Sequence, residues 1–388
     1  HRVTNKGLIL FGCRAGLHSM SLRHGTLLPS QMGRRGTMSG KFMIYGATGY
    51  TGKLTARVAA EKGLKPVLAG RNAQKLQKVA EPLGLEWCAV SLDRPNALDK
   101  ALQDVDAVLH IAGPFSATSK PMLDACLRTR THYLDITGEI GVFEACAARD
   151  KDAREAGIMV LPGVGFDVVP SDCLAAHMKR RMPEAQRLEM GIAGLSNLSH
   201  GTAKTMVESI SEGTRVRRGG RIISLKKPPR RTIDYGQGES ASIAVGWGDV
   251  STAYHSTDIP DITIYFEASK DMERMAGLGS VARWVMGTGP VQRFLKKQID
   301  KLPEGPNDAE RAAAKAILIG EVTDGAGNVM RSRLETPEGY TLTAETGLEI
   351  AQRAASGEMT PGFQTPSRAY GADFITEFDG VRREDLNI

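Results

Sequence analysis

At 388 residues the chain exceeds one average domain, which excludes a single small module. Hydrophobic residues at 41% and charged residues at 24% match a folded globular composition and exclude an intrinsically disordered chain. No stretch reaches the roughly 18 consecutive apolar residues of a membrane span, so an integral transmembrane helix is excluded and only peripheral membrane contact stays open.

The formal charge of +6 is carried by the N-terminal segment. Residues 1–37 hold Arg2, Lys6, Arg14, Arg23, Arg34 and Arg35 and no acid, which leaves 44 basic against 44 acidic side chains in the rest. A body without basic excess excludes a nucleic-acid partner. We read 1–37 as a tail outside the fold, with Met38 as the working start; an Arg-rich, acid-poor targeting peptide is the alternative. Five cysteines form no CxxC pair and no His/Cys cluster at zinc spacing. That usage points to a cytoplasmic chain without a disulfide framework or a bound metal.

From Met38 to Leu161 strand and helix signals alternate, the pattern of a parallel sheet covered by helices. Strands are predicted at Phe42–Tyr45, Pro66–Ala69, Trp87–Val90, Ala107–Ile111, His132–Ile136 and Ile158–Leu161. Helices are predicted at Tyr50–Lys62, Lys120–Arg130 and Gly141–Ala156. Six strands in this rhythm give an α/β fold: a Rossmann doubly wound dinucleotide-binding domain over 38–161. Beyond Pro162 the rhythm lapses. Val168–Arg180 reads as a helix, and strands follow at Leu188–Ala193, Ile222–Lys226, Ser242–Val245, Ile262–Ala268, Ile317–Thr323 and Asn328–Leu334. They predict a second α+β domain, 162–335, with a mostly antiparallel sheet for substrate or dimerisation. A C-terminal segment, 336–388, carries the helix Thr343–Ala355 and an ordered loop at Pro361–Pro366.

The first strand-to-helix turn carries the chemistry. Gly46, Gly49 and Gly52, with Thr48, Tyr50 and Thr51 between them, place glycines at GxxGxxG spacing. Such a turn lets the backbone approach a diphosphate, and the helix N-terminus offers unpaired N–H groups and a positive dipole end. After the second strand stands Arg71, where an NAD-binding chain carries an acid. A guanidinium there pairs a 2′-phosphate, which favours NADP over NAD. Asp93, after the third strand, either meets the adenine amino group or caps the next helix. Gly113 and Pro114, after the fourth, bring the chain close to the nicotinamide ribose or make an ordinary turn.

These motifs form a recognisable series. The order Gly46-Ala-Thr-Gly-Tyr-Thr-Gly52, Leu68-Ala-Gly-Arg71, His110-Ile-Ala-Gly-Pro-Phe115, His132-Tyr-Leu-Asp-Ile-Thr-Gly-Glu139 and Pro162-Gly-Val-Gly-Phe-Asp-Val-Val-Pro-Ser-Asp172 resembles the saccharopine dehydrogenase-like oxidoreductases. It looks closest to the bacterial branch that includes trans-acting enoyl reductases. The resemblance implies an NADP-binding Rossmann domain paired with a second α/β domain. It also implies that Gly46, Gly49, Gly52 and Arg71 take the cofactor and that the Asp135–Glu139 and Gly165–Asp172 segments line the substrate side.

The expected activity is NADPH-dependent reduction of an enoyl C=C bond, or a related imine or carbonyl, in a small and lipid-like substrate. Alternatives are an NADP-binding sensor or scaffold without turnover, and a saccharopine-type dehydrogenase in which Arg215, Arg217 and Arg218 clamp carboxylates. No Tyr-x-x-x-Lys pair supplies the proton. Tyr133, Asp135, Asp167 and His110 stand near predicted strand ends; Asp167 leads, because a Gly/Phe/Val setting raises a carboxyl pKa. Thr202 is expected to cap a helix, and His255 to border a pocket or lie at the surface. The amphipathic, basic stretch Met275–Leu302 packs on the protein, on a second copy in a homodimer, or on a membrane surface.

Overall fold

A computed structural model describes residues 40–195, 199–209, 213–276 and 285–386. The basic tail and Leu278, Val281 and Ala282 lie outside them. In the first sheet, β1 (Phe42–Tyr45), β2 (Val67–Gly70), β3 (Trp87–Ala89), β4 (Ala107–His110), β5 (His132–Asp135) and β6 (Met159–Leu161) alternate with helices. The helices are α1 (Tyr50–Glu61), α2 (Ala73–Leu83), α3 (Pro95–Leu102), α4 (Phe115–Thr129), α5 (Ile140–Ala147) and α6 (Asp150–Ala156). All four residues of β1, β2, β4 and β5 are buried, as parallel strands covered on both faces require.

The strand order β6-β5-β4-β1-β2-β3 confirms the doubly wound reading. Its winding reverses between β1 and β4, which pair in parallel through Tyr45 and His110, and a crevice opens beyond their C-terminal ends. The expected helix Gly141–Ala156 is two helices. Arg149, at their junction, bonds Asp124 (2.7 Å) and Asp152 (2.5 Å).

After α7 (Val169–Arg181) the chain builds a second sheet. Its strands are β7 (Arg187–Ala193), β8 (Thr214–Arg218), β9 (Arg221–Leu225), β10 (Arg230–Asp234), β11 (Glu239–Val245), β12 (Asp261–Glu267), β13 (Lys315–Thr323) and β14 (Val329–Pro337). It is antiparallel except where β12 runs beside β7. Two helices precede β8 and β12: α8 (His200–Ser209) and α9 (Asp249–Thr257). Helix α8 begins at His200, so position 202 lies inside it.

One apolar core runs through both sheets. Ile44, Leu109 and Leu134 from the first and Met190, Ile192, Ile264 and Leu318 from the second share it, with Cys173, Leu174 and Met178 of α7 between them. At about 1.5–3 kcal/mol per buried side chain, parting the sheets is strongly disfavoured.

The C-terminal segment crosses this interface repeatedly. The helix Gly339–Ala355 packs on α1 and β4. Then β15 (Gly362–Phe363) adds a seventh parallel strand outside β6, and β16 (Arg382–Leu386) returns to pair with β14. The Pro361–Pro366 loop therefore contains a strand at the far edge of the first sheet, away from the β1/β4 crevice.

Asp135 and Tyr133 hold the end of β5. Tyr133 donates to Asp135 Oδ2 (2.5 Å), while the amides of Thr137 (2.9 Å) and Gly163 (3.0 Å) donate to Oδ1. Asp135→Asn replaces an acceptor with an NH2 that cannot take the Tyr133 proton. It is expected to destabilise the fold by about 1–3 kcal/mol, read as a lower denaturant midpoint. An unchanged midpoint would remove this role from Asp135.

Candidate functional site

Two turns meet at the switch point. Gly46 has φ +97, and a Cβ there would stand 2.8 Å from the Ala112 nitrogen and the Ile111 carbonyl carbon. A Cβ on Gly52 would stand 2.3 Å from the Gly46 oxygen and 2.7 Å from the Ala47 Cα. Only glycine fits either place, so the first and last glycines of the GxxGxxG motif are a steric requirement, while Gly49 has room for a Cβ. The amides of Gly46 (2.8 Å) and Ala47 (3.2 Å) both donate to the Ala69 carbonyl, tying the turn to β2.

The two helices that open on the crevice end differently. Gly49, the N-cap of α1, supplies no side-chain cap, and the first turn of α1 holds no acid. At α4 the Glu139 carboxylate accepts from the amides of Phe115 (Oε1, 2.8 Å) and Ser116 (Oε2, 2.8 Å). One positive helix end is thus filled by the protein's own carboxylate, and the other is left for an anion. Thr48 and Thr51 are half-buried and Gly49 is exposed along that open turn.

Tyr50 contributes to this turn through its backbone. Its hydroxyl donates to the Pro306 carbonyl (2.5 Å) and accepts from Arg311 (2.7 Å), and its ring packs on Tyr340. The same segment pairs Asp308 with Arg57 (3.0 Å) and Glu304 with Lys53 (2.8 Å). The second half of the chain therefore straps the phosphate-turn helix from outside the crevice.

Arg71 is exposed at the end of β2 and has no hydrogen bond or ion pair to a described residue. Asp93 is exposed and accepts from Ser91 (3.2 Å); the N-cap of α3 is Arg94, so the capping alternative for Asp93 is not realised. The Tyr45 hydroxyl donates to the Val90 carbonyl (3.1 Å); burial raises its pKa, with Arg71 lowering it and Asp93 raising it. An open helix end, two close-approach glycines and an unpaired guanidinium together fit a dinucleotide diphosphate with a 2′-phosphate. Gly113 and Pro114, both exposed, form the facing wall.

The candidate acids separate by burial. His110, Tyr133 and Asp135 have no exposed surface and lie within the sheet. Burial pushes the Asp135 carboxyl up to about 6 and the His110 imidazole down to about 3. Asp167, on the loop after β6, is half-buried, and burial pushes its carboxyl up to about 7. That carboxylate forms no hydrogen bond or ion pair with a described residue. It rests on Gly138, where a Cβ would come within 2.7 Å of Oδ2, and the Trp247 indole donates to the Asp167 carbonyl (2.8 Å).

Two of the arginines proposed as a carboxylate clamp have other work. Arg217 bonds the carbonyls of Val250 (2.8 Å) and Gly220 (2.7 Å) and pairs with Glu144 (3.2 Å). Arg218 bonds the carbonyls of Arg217 and Ile262 and the Thr263 hydroxyl. His255 is half-buried against Phe363 and Glu144, away from the crevice. The helix Gly289–Ile299 has no buried residue and leaves Phe294 59% exposed.

Sequence reasoning missed two features here. Glu139 and Phe115 lie 24 positions apart, so no local signal announces the cap. Asp249, fully buried, is held far above the usual carboxylate range by burial.

Arg71→Ala is expected to weaken NADPH binding about 10- to 100-fold and to leave NADH binding unchanged, since only the 2′-phosphate loses a charged partner. Titration of the change in cofactor fluorescence measures both. Equal losses for the two cofactors would contradict the assignment.

Comparison with known proteins agrees with this geometry. Residues 42–161 match the family model of the saccharopine dehydrogenase NADP-binding domain. The trans-acting enoyl reductase of Mycobacterium leprae is 34% identical over 156 residues, 38% of this chain and 37% of that protein. The trans-acting enoyl reductase of Mycobacterium ulcerans is 32% identical over 152 residues, 37% and 36% of the two chains. The alignments thus span little more than a third of these relatives. Among solved structures, saccharopine dehydrogenase (L-Glu forming) from Saccharomyces cerevisiae superposes with a TM-score of 0.62 at 13% identity, covering 89% of this chain and all of that one. Homospermidine synthase from Legionella pneumophila, in complex with NAD, gives 0.57 at 9% identity over 90% and 92%. The resemblance read from the motifs holds at this level: residues 42–161 match the saccharopine dehydrogenase NADP-binding domain model, within a chain whose fold is similar to that of saccharopine dehydrogenase.

Proposed function

We infer that the protein is an NADPH-dependent oxidoreductase that reduces an enoyl C=C bond, or a related imine or carbonyl, of a small and lipid-like substrate. The observation that carries this reading is the Asp167 carboxyl: half-buried, raised in pKa, and without a hydrogen-bond or ion-pair partner among the described residues. A carboxyl in that condition keeps its proton near neutral pH and has it free to give. The names of the mycobacterial relatives favour the C=C bond over the other two.

When bound, the dihydronicotinamide supplies a hydride. The chain's part is position and a proton. The open α1 terminus and Arg71 would hold the diphosphate and the 2′-phosphate, and the Ala112–Pro114 turn would orient the other half. Asp167 would give its proton to the substrate atom that becomes carbanionic or anionic on reduction, and solvent would reprotonate it. The net change is one hydride and one proton added across the bond.

The sign of the pH dependence follows. Asp167 is the acid form below about pH 7 and loses its proton above it, so reduction is expected to fall as pH rises through 7. Asp167→Asn is expected to lower kcat about 100- to 10,000-fold and to abolish that limb while cofactor binding persists. A panel of enoyl, imine and carbonyl compounds, followed by NADPH oxidation, tests the reading. Tight NADPH binding with no turnover of any member would favour the non-catalytic sensor instead.

A further inference from the structure

The turn that faces the phosphate loop is held from two sides. From one side the Glu139 carboxylate grips the first two amides of α4, Phe115 and Ser116, each at 2.8 Å. From the other, Thr118 Oγ1 stands 2.7 Å from the Ala112 carbonyl, 3.0 Å from the Pro114 carbonyl and 3.0 Å from His110 Nε2. A threonine has one proton to give, and the carbonyls can only accept it, so His110 Nε2–H donates to Thr118. His110 Nδ1 then carries a lone pair, buried and without a partner in the described structure.

The position of this turn sets the shape of the crevice, because Gly46 already touches Ala112 and Ile111 with no room for a methyl group. A shift of Ala112 in either direction would close the phosphate turn or part it from its neighbour. A carboxylate on two backbone N–H groups is a strong, charge-assisted hold. It also neutralises a helix end that would otherwise compete with α1 for the diphosphate. The backbone of the same loop connects the turn to Asp167, since Gly138 lies against the Asp167 carboxylate.

We propose that Glu139 is a positioning residue for the cofactor, holding the Ala112–Pro114 turn where the nicotinamide half docks, with Thr118 as the second hold on the same turn. The proposal rests on the dinucleotide reading of the crevice and assigns to Glu139 no contact with the cofactor. It separates the two halves of the ligand: the adenosine half is held by α1 and Arg71, while the nicotinamide half depends on Glu139.

The test compares NADPH with 2′,5′-ADP, which keeps the diphosphate-proximal adenosine and the 2′-phosphate but lacks nicotinamide. Calorimetry on the full chain and on the Glu139→Ala, Glu139→Gln and Thr118→Val variants gives both affinities. NADPH emission on binding reports the nicotinamide environment. The expected result is 2′,5′-ADP affinity within about twofold of the parent in every variant, with NADPH affinity down about 10- to 100-fold in Glu139→Ala and less in Glu139→Gln. The enhanced emission of bound NADPH should diminish in step. Equal loss of both ligands, or loss of neither, would overturn the proposal. If Glu139→Ala does not fold, Glu139→Gln and Thr118→Val decide it by the same criterion. Failure of the parent to bind 2′,5′-ADP would instead overturn the dinucleotide reading, and this inference with it.

Discussion

The contact between two stretches of backbone governs this molecule. Gly46 lies against Ala112, and Gly52 lies against Gly46, at distances that admit no side chain. That double contact brings the ends of β1 and β4 together, points the first turn of α1 into the crevice and leaves its amides uncapped. The positive end of a helix is a weak attractor in water. Beside a tight, partly buried turn, with Arg71 following β2, it is the arrangement we propose discriminates among nucleotides.

Around that contact the protein spends its own charges selectively. Glu139 neutralises the competing helix end, and Asp135 secures the β5 end to the β6 end. Lys53 and Arg57 are taken up by Glu304 and Asp308 on the outer side of α1. Arg71 and the Asp167 carboxyl stand apart from these networks. Arg71 directly follows β2 and Asp167 lies on the loop after β6, strands on opposite sides of the β1/β4 junction.

Much of this was legible in the sequence, and the reasons for the failures are physical. Strand β1 and the glycine spacing are legible because buried parallel strands are uniformly apolar and the turn requires glycine at positions 46 and 52. Strand β8 was missed because its arginines look solvated, yet Arg217 is 4% exposed and satisfied by the Val250 and Gly220 carbonyls and Glu144. Strands β10 and β16 are charged because they lie at the two ends of the second sheet, where side chains meet water. The Tyr50 side chain sits in the phosphate motif but serves Pro306 and Arg311, partners more than 250 positions away that local periodicity cannot reveal. The family resemblance supplied the cofactor domain; the division of labour between the two helix ends came only with three-dimensional contacts.

The steric claim at the centre is open to direct measurement. Calorimetric titration of NADPH into the Gly52→Ala variant, with near-ultraviolet circular dichroism to verify that the core is intact, isolates the turn from the rest of the fold. A native spectrum with affinity reduced at least about 100-fold is the predicted result, because the added methyl must displace the Gly46 carbonyl and with it the amide cradle. A native spectrum with affinity equal to that of the unmodified chain would contradict it.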